Sequence, residues 1–227
     1  QGMELGNKFP RVASRLRPIL EAHGLVLVGG WYSTFLLEHD AETEFAKSAD
    51  HRRLLKDMGT NVFIAAECTS TVHGNKQAPL STRPVMTEAQ WKTFTTRLTK
   101  LAELLKADGF QLAYHHHMGT VVQTPAEIDR LMQGTGAAVN LLLDTGHAKW
   151  GGDDPVRRIR HDRSQASDGL LMSVAPDPAV AKALADRGGD VDAIGQRDPK
   201  VALQHPPQPL EIAGHGRLIQ PQLFAQI

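Results

Sequence analysis

Five apolar runs alternate with amphipathic segments between residues 2 and 147 of this 227-residue chain. The runs read GMELG, LVLVGGW, NVFIAAE, FQLAYHHH and AVNLLLDTGH. Apolar strands separated by helices are typical of a parallel sheet whose two faces are both covered. The pattern therefore predicts an α/β fold, either a (β/α) barrel of the TIM type or an open doubly wound sheet.

The ends of the runs favour the barrel. A doubly wound dinucleotide-binding sheet has G-x-G-x-x-G after its first strand, and the sequence contains no such motif there. In a barrel, chemistry collects at the carboxyl ends of the strands. Four runs end on polar or aromatic residues, namely Trp31 with Tyr32, Glu67, His115 to His117, and Asp144 with His147.

Local signals set the helix boundaries. TEAQWKTF is predicted to begin a long helix, with Thr87 and Gln90 as its capping box. TPAEIDRL begins another helix, with Thr124 as N-cap and Pro125 at the first position. The segment AETEFAKSADHRRLLKDMG is predicted to be one amphipathic helix that ends at Gly59.

The character of the sequence changes after residue 150. Eight of the 13 prolines lie in this part, and no run there resembles the earlier strands. We therefore predict two regions. Residues 1–154 form a partial (β/α) barrel domain, and residues 155–227 form an atypical proline-rich tail that is poorly structured.

Composition excludes several partners. The 25 basic and 25 acidic residues balance, which argues against nucleic acid and against an anionic membrane surface. No apolar stretch is long enough to span a bilayer, and no secretory signal is visible. The single cysteine, Cys68, cannot form an internal disulfide, which fits a cytoplasmic protein.

The run of three histidines is the first candidate site. Alternate side chains of a strand share a face, so His115 and His117 are predicted to point the same way and His116 the other way. Asp144 ends the following strand and adds a carboxylate. Imidazole and carboxylate together suit a divalent ion such as Mn, Co, Fe or Zn. Asp144 is alternatively the N-cap of the segment that follows it.

Two further residues are candidates for proton transfer. Glu67 closes an apolar strand, where burial would raise the pKa of its carboxyl and suit it to be a general base. The alternative for Glu67 is a salt bridge. His147 either lies over the barrel mouth or is solvated.

Four residues are candidates for contacts with a substrate. Trp31 and Tyr32 lie at a strand end, where they either bind substrate or pack at the rim. Lys8 is a surface lysine unless the mouth closes over it. His73 lies in STVHGNKQAPLSTRP, a loop long enough to form a lid.

Four segments in order, ELGNKFP, GWYST, AYHHHMGTVVQT and LLLDTGH, resemble the inosose dehydratase family of xylose-isomerase-like TIM barrels. The resemblance implies a hydro-lyase that dehydrates 2-keto-myo-inositol (scyllo-inosose) to a trihydroxycyclohexane-dione in myo-inositol catabolism. It implies Mn or Co as the metal and glutathione as a further reported cofactor. It also implies a small-molecule polyol ketone as substrate and allows a homo-oligomer.

The resemblance also suggests roles. In the superfamily, Glu, Asp, His and Glu from four successive strands bind the metal. Of these, Asp144 matches the Asp and His115 takes the place of the first Glu. The catalytic residues would then be Glu67, His117 and His147. The alternatives are a sugar or polyol isomerase or epimerase of the same superfamily, and an inactive truncated remnant.

The chain departs from that family at both ends. Its first strand is expected to be missing, and the segments that match the last two strands are replaced by the proline-rich tail. The expected fold is thus an incomplete barrel that lacks two of the four metal ligands. A reading-frame change near residues 155–165 would explain the tail; the alternative is a disordered segment.

Overall fold

The computed structural model describes residues 2–161, 170–173 and 192–193. Within these ranges, strands alternate with helices for most of the chain. The strands are β1 Gly2–Leu5, β2 Val26–Thr34, β3 Val62–Glu67, β4 Gln111–His115, β5 Val139–Asp144, β6 Leu170–Ser173 and β7 Asp192–Ala193. The helices are α1 Ala13–Glu21, α2 Ala41–Lys47, α3 Ala49–Met58, α4 Glu88–Ala107, α5 Pro125–Gly134, α6 Thr145–Trp150 and α7 Pro155–His161.

The strands form one parallel sheet in chain order, from β1 to β7. Each strand pairs with the next strand along the chain, so the sheet winds in one direction, as it does in a TIM barrel. A doubly wound sheet would reverse direction beside its first strand. In the described part of the chain β1 and β7 are the two edges of the sheet. The predicted barrel arrangement is therefore confirmed, and among the described residues the barrel is not closed.

The capping signals predict the helix starts correctly. Thr87 with Gln90 and Thr124 with Glu127 both form capping boxes, at the starts of α4 and α5. The segment predicted to be one helix before Gly59 is two helices, because Ser48 leaves the helical backbone between α2 and α3. Local propensity did not reveal this break.

The sheet separates two apolar clusters. The outer cluster lies between the sheet and the helices and takes in every apolar side chain that α4 buries, at the spacing of one helix face. Burying one such large apolar side chain stabilises the fold by about 1.5–3 kcal/mol. The inner cluster lies inside the curve of the sheet and consists of Val28, Val62, Ile64, Ala113 and Leu142.

A β-bulge interrupts the pairing of the first two strands. Met3 pairs with Leu27, whereas Glu4 pairs with Gly29, so Val28 is an extra residue on β2. A bulge of this kind shifts the alternation of side chains by one position. Beyond the bulge, each residue of β2 therefore lies on the face opposite to the one that strict alternation from the start of the strand predicts.

The bulge decides where the two aromatic residues of β2 lie. Trp31 packs on the inner cluster, and Tyr32 lies on the outer side against His51 and Phe63. Gly30 gives His51 its room, because a Cβ at this position would lie 2.9 Å from the imidazole Cε1. The ring is held there by its Nε2, which donates a hydrogen bond to the Gly30 carbonyl at 3.1 Å.

Two short strands, β6 and β7, follow residue 154, in the segment expected to lack strands. The apolar run in β6 is only four residues long, which is too short to stand out in the sequence. Helix α7 also lies beyond residue 154, and its buried Arg158 pairs with Asp153 and Asp129. The rest of the predicted tail lies outside the described residues, so the division at residue 154 remains a prediction. None of the described helices is both long and apolar enough to cross a membrane.

Candidate metal centre

Three polar side chains meet where β4 and β5 end. His115 is the last residue of β4, Asp144 is the last residue of β5, and His147 lies in the first turn of α6. The Nε2 atoms of His115 and His147 lie 3.7 Å and 3.9 Å from Asp144 Oδ2. Both distances exceed the length of a hydrogen bond. The three groups thus face one another across a small gap.

Asp144 does both things that the sequence left open. Its Oδ1 accepts a hydrogen bond from the backbone N–H of His147 at 2.9 Å, which makes it the N-cap of α6. Its Oδ2 is left to face the two imidazoles. The cap therefore fixes the direction of the carboxylate, with one oxygen on the helix and the other in the site.

The donor atoms fit a divalent metal. One ligand atom from each of His115, Asp144 and His147 lies within 4.8 Å of the others. Ligands that share one ion, at bond lengths of about 2.0–2.2 Å, lie about 3–4 Å apart, so small adjustments suffice. Both nitrogens of His115 and the Nε2 of His147 are buried without a hydrogen-bond partner among the described residues. Such atoms destabilise a fold unless something satisfies them, and a metal ion would do so.

The charges of Asp144 and His147 also suit a metal. Burial acts to raise the pKa of Asp144, but the neighbouring His115 and His147 imidazoles outweigh it and hold that pKa well below its usual range. Burial lowers the pKa of His147 and so favours the neutral form of its ring, although the Asp144 carboxylate acts in the opposite direction. A deprotonated carboxylate and neutral imidazoles are the forms that bind metals.

Three rings form a wall beside this centre. The His117 ring lies 3.9 Å from the His147 ring, 5.6 Å from the Trp31 ring and 5.2 Å from the His73 ring, measured between centroids. His117 Nδ1 donates to the carbonyl of Met118 at 2.7 Å, because a carbonyl can only accept. When the ring is neutral, its Nε2 consequently carries the lone pair. The structure thus brings His117, Trp31 and His73 to the three metal-binding candidates.

The long loop between β3 and α4 is docked against the loop after β4. The Val72 N–H donates to the Gly119 carbonyl at 3.0 Å, and Arg83 donates to the Thr120 carbonyl at 3.2 Å. Gly119 has φ +78°, and a Cβ there would lie 2.9 Å from the backbone nitrogen of His73. This close approach places His73 beside the site, although its side chain is exposed.

Glu67, the sequence candidate for a general base, does not join the site. Its carboxylate accepts hydrogen bonds from the N–H of Leu36 at 2.7 Å, the N–H of Thr69 at 3.1 Å and the hydroxyl of Thr34 at 3.2 Å. Burial raises its pKa, and these hydrogen bonds oppose the rise. The side chain turns to the outer face of the sheet, as Ala65 does, and anchors the loops that follow β2 and β3. Its hydrogen bonds make it an anchor for two loops, and it forms no salt bridge among the described residues; its role as a base remains a prediction.

Three other side chains lie away from the centre. Tyr32 is on the outer face because of the bulge, and burial raises the pKa of its phenol to about 12. Lys8 is exposed in the turn after β1. The ring of His116 is fully buried, 6.3 Å from that of His115, and it has no contact with the Trp31 ring in the described structure.

Glu4 is the residue that sequence reasoning missed. It lies on β1 between Met3 and Leu5, which both belong to the outer cluster, so it points to the inner side. Burial raises the pKa of Glu4, His115 opposes the rise, and Asp144 adds to it. The sequence GMEL signals that Glu4 lies on the opposite face from Met3 and Leu5. Only the three-dimensional structure shows that the face of Glu4 is the one that faces the ends of β4 and β5.

Fold and site together define a class of protein. The description "Xylose isomerase-like TIM barrel" belongs to a family model that matches residues 2–168. This chain therefore belongs to the xylose isomerase-like TIM barrel family.

Two individual proteins of known name are about 40% identical to this chain. The chain is 41% identical over 161 residues to the rhizopine catabolism protein MocC of Rhizobium meliloti, covering 70% of this chain and 50% of that protein. It is 40% identical over 157 residues to an inosose dehydratase of Bacillus thuringiensis, covering 68% of this chain and 53% of that enzyme. The chain thus spans about half the length of these relatives.

Solved structures share the fold. The structure of a 3-keto-D-glucoside 4-epimerase from E. coli superposes with a TM-score of 0.58 at 13% identity, covering 88% of this chain and 94% of that one. At this identity, the likeness concerns the fold alone.

Proposed function

We propose that this chain is part of a hydro-lyase that removes water from a keto-inositol such as scyllo-inosose, in the breakdown of inositol. The observation that carries the proposal is the group formed by buried His115, partly buried Asp144 and buried His147 at the ends of two neighbouring barrel strands. It is supported by 40% identity to an inosose dehydratase over residues that include this group.

His115, Asp144 and His147 would hold a divalent metal, for which manganese and cobalt are our candidates. When bound, the metal would supply Lewis-acid polarisation of the substrate ketone. The wall formed by Trp31, His73 and His117 would receive the ring of a small cyclic polyol.

The residues of the wall have separate tasks in this proposal. Neutral His117 offers its Nε2 lone pair as an acceptor for a substrate hydroxyl, since its Nδ1 is engaged with Met118. Trp31 donates its Nε1 hydrogen to the Ser33 hydroxyl at 2.9 Å, which holds the indole plane in place. His73 would limit access of water from the loop side.

The other functional expectations also remain proposals. The substrate would be a small polyol ketone, with no nucleic acid or membrane as partner. The enzyme would act in the cytoplasm, and a homo-oligomer is compatible with it. No described residue gives independent support for glutathione as a cofactor.

Turnover by the purified 227-residue chain tests the proposal. The chain would be loaded with Mn²⁺ or Co²⁺ and given scyllo-inosose, and formation of the dione would be followed by its ultraviolet absorbance. We expect stoichiometric metal and metal-dependent absorbance growth. An isomerised product without dione would favour the epimerase alternative. If the chain neither binds metal nor turns over the substrate, the inactive-remnant alternative is favoured.

A further inference from the structure

The inner side of the barrel carries a second carboxylate besides Asp144. Glu4 is the third residue of β1, and its neighbours Met3 and Leu5 pack among the helices. Because side chains of a strand alternate, Glu4 is directed inward. Its side chain is partly buried, so the surrounding residues shield it from much of the solvent.

The carboxyl of Glu4 lies within electrostatic reach of the metal centre. The charges of His115 and Asp144 both act on it. In the sheet, two strands lie between β1 and β4, and three lie between β1 and β5. Because Glu4 is directed inward and these strands are not its neighbours, the interaction runs across the inner side of the curved sheet, which places Glu4 on the face that His115 and Asp144 share.

Nothing in the described structure gives Glu4 a structural task. Its carboxylate forms no ion pair and no hydrogen bond among the described residues, whereas that of Glu67 accepts three hydrogen bonds. An unpaired carboxylate that is partly removed from water destabilises the fold. A destabilising group that faces a metal centre is typical of a residue kept for function.

We propose that Glu4 is a catalytic residue of the dehydration proposed above, on which this assignment rests. Its carboxylate takes the proton from the carbon beside the ketone. The C–H bond breaks, its electron pair forms the enolate, and Glu4 becomes a neutral acid. The C–O bond of the β-hydroxyl then breaks while the C=C bond forms. The departing oxygen takes the proton from Glu4 and leaves as water, which returns the carboxylate.

Three variants test this role. Glu4→Gln keeps the size of the side chain but cannot take a proton, so we expect kcat to fall at least about 100-fold, the lower end of general-base contributions. KM and metal stoichiometry should stay within about threefold, and Glu4→Asp should recover part of kcat. The matched control is Glu103→Gln, an exposed carboxylate on α4, which should behave like the unaltered chain.

The outcomes separate the two proposals. Turnover that Glu4→Gln leaves within threefold of the unaltered chain would overturn the role of Glu4 alone. Absence of turnover in the unaltered, metal-loaded chain would reject the dehydratase proposal and the catalytic role together. Thermal unfolding of each variant shows whether a loss of activity reflects a loss of folded protein, and Glu4→Asp provides a second reading if Glu4→Gln is unstable.

A measurement with the metal alone tests the placement of Glu4. In a chain carrying ¹³C-labelled glutamate, the carboxyl resonance of Glu4 is identified by its loss in Glu4→Gln. Mn²⁺ at the centre should broaden this resonance, whereas diamagnetic Zn²⁺ should not, and the resonance of Glu103 should stay sharp with either ion. A sharp Glu4 signal in the Mn²⁺ form would contradict the placement, whatever the activity.

Discussion

Replacing Asp144 separates its two tasks. Asn caps helices about as well as Asp, so Asp144→Asn should keep the hydrogen bond to the His147 N–H while removing the charge from the site. Asp144→Ala removes both. In the absence of metal, we expect Asp144→Asn to match the unaltered chain in its free energy of unfolding and Asp144→Ala to lose about 1 kcal/mol.

Metal changes the comparison. At a metal concentration of 100 times Kd, binding stabilises the unaltered chain by about 2.7 kcal/mol. Losing a ligand should weaken binding by at least the roughly 100-fold seen for outer-shell partners, and the stabilisation of Asp144→Asn at the same concentration falls to about 0.4 kcal/mol. For a chain of this size, 2.7 kcal/mol corresponds to a Tm shift of about 5–11 °C.

Thermal unfolding with and without Mn²⁺ or Co²⁺ measures both effects, with Asp40→Asn as the control. Asp40 caps α2 with the same geometry, accepting from the Thr43 N–H at 2.8 Å, and it is absent from the metal centre. A full metal-dependent Tm shift in Asp144→Asn would refute its role as a ligand. If metal-free Asp144→Asn loses as much stability as Asp144→Ala does, the proposal that Asn preserves the N-cap of α6 is refuted.

Three further substitutions give separate tests. Glu67→Gln should lower the free energy of unfolding by about 1–3 kcal/mol, because an amide presents a donor to groups that donate, and should leave kcat per folded molecule unchanged; a large loss of kcat would restore Glu67 as the base. Burial lowers the pKa of His51 from 6.5 to about 4. The unfolded chain therefore binds this proton first, and stability should fall by at most about 3 kcal/mol as pH drops through that range; denaturant titrations should show a flatter profile for His51→Gln, and identical profiles would contradict this. Arg158→Met leaves Asp153 buried without its closest cation and should cost about 3–5 kcal/mol, whereas Arg157→Met, at the exposed partner of the same carboxylate, should cost under about 1 kcal/mol; equal losses would refute the distinction.

The sequence predicts those parts of the structure that depend on neighbouring residues. The capping boxes at Thr87 and Thr124 form as expected because each depends only on a side chain three residues further on. The first five strands can be predicted because each is a continuous apolar run in the sequence. The proximity of His115 and Asp144 can also be predicted from the sequence, because consecutive strands of a barrel are neighbours.

The sequence does not predict which face a strand turns inward. Glu67 and His115 both end apolar strands, yet the Glu67 carboxylate anchors loops on the outer side of the sheet and the His115 imidazole lies on the inner side. The choice depends on pairing with residues far away in the chain. Glu4 is missed for the same reason, since a single acidic residue in a four-residue strand gains meaning only from what lies across the barrel.

The extra residue in β2 makes strand length, and not only residue identity, a determinant of the site. Deleting Gly29 would remove the extra residue, and strict alternation would then leave Trp31 on the inner side and Tyr32 on the outer side. Pairing the full-length strand without the bulge would instead turn its remainder by half a rotation about its axis, so the phenol of Tyr32 would enter the barrel and the indole of Trp31 would be pushed among the helices. The lining of the inner side thus depends on whether the pairing of β1 with β2 accommodates one additional residue, a condition that no single substitution reproduces.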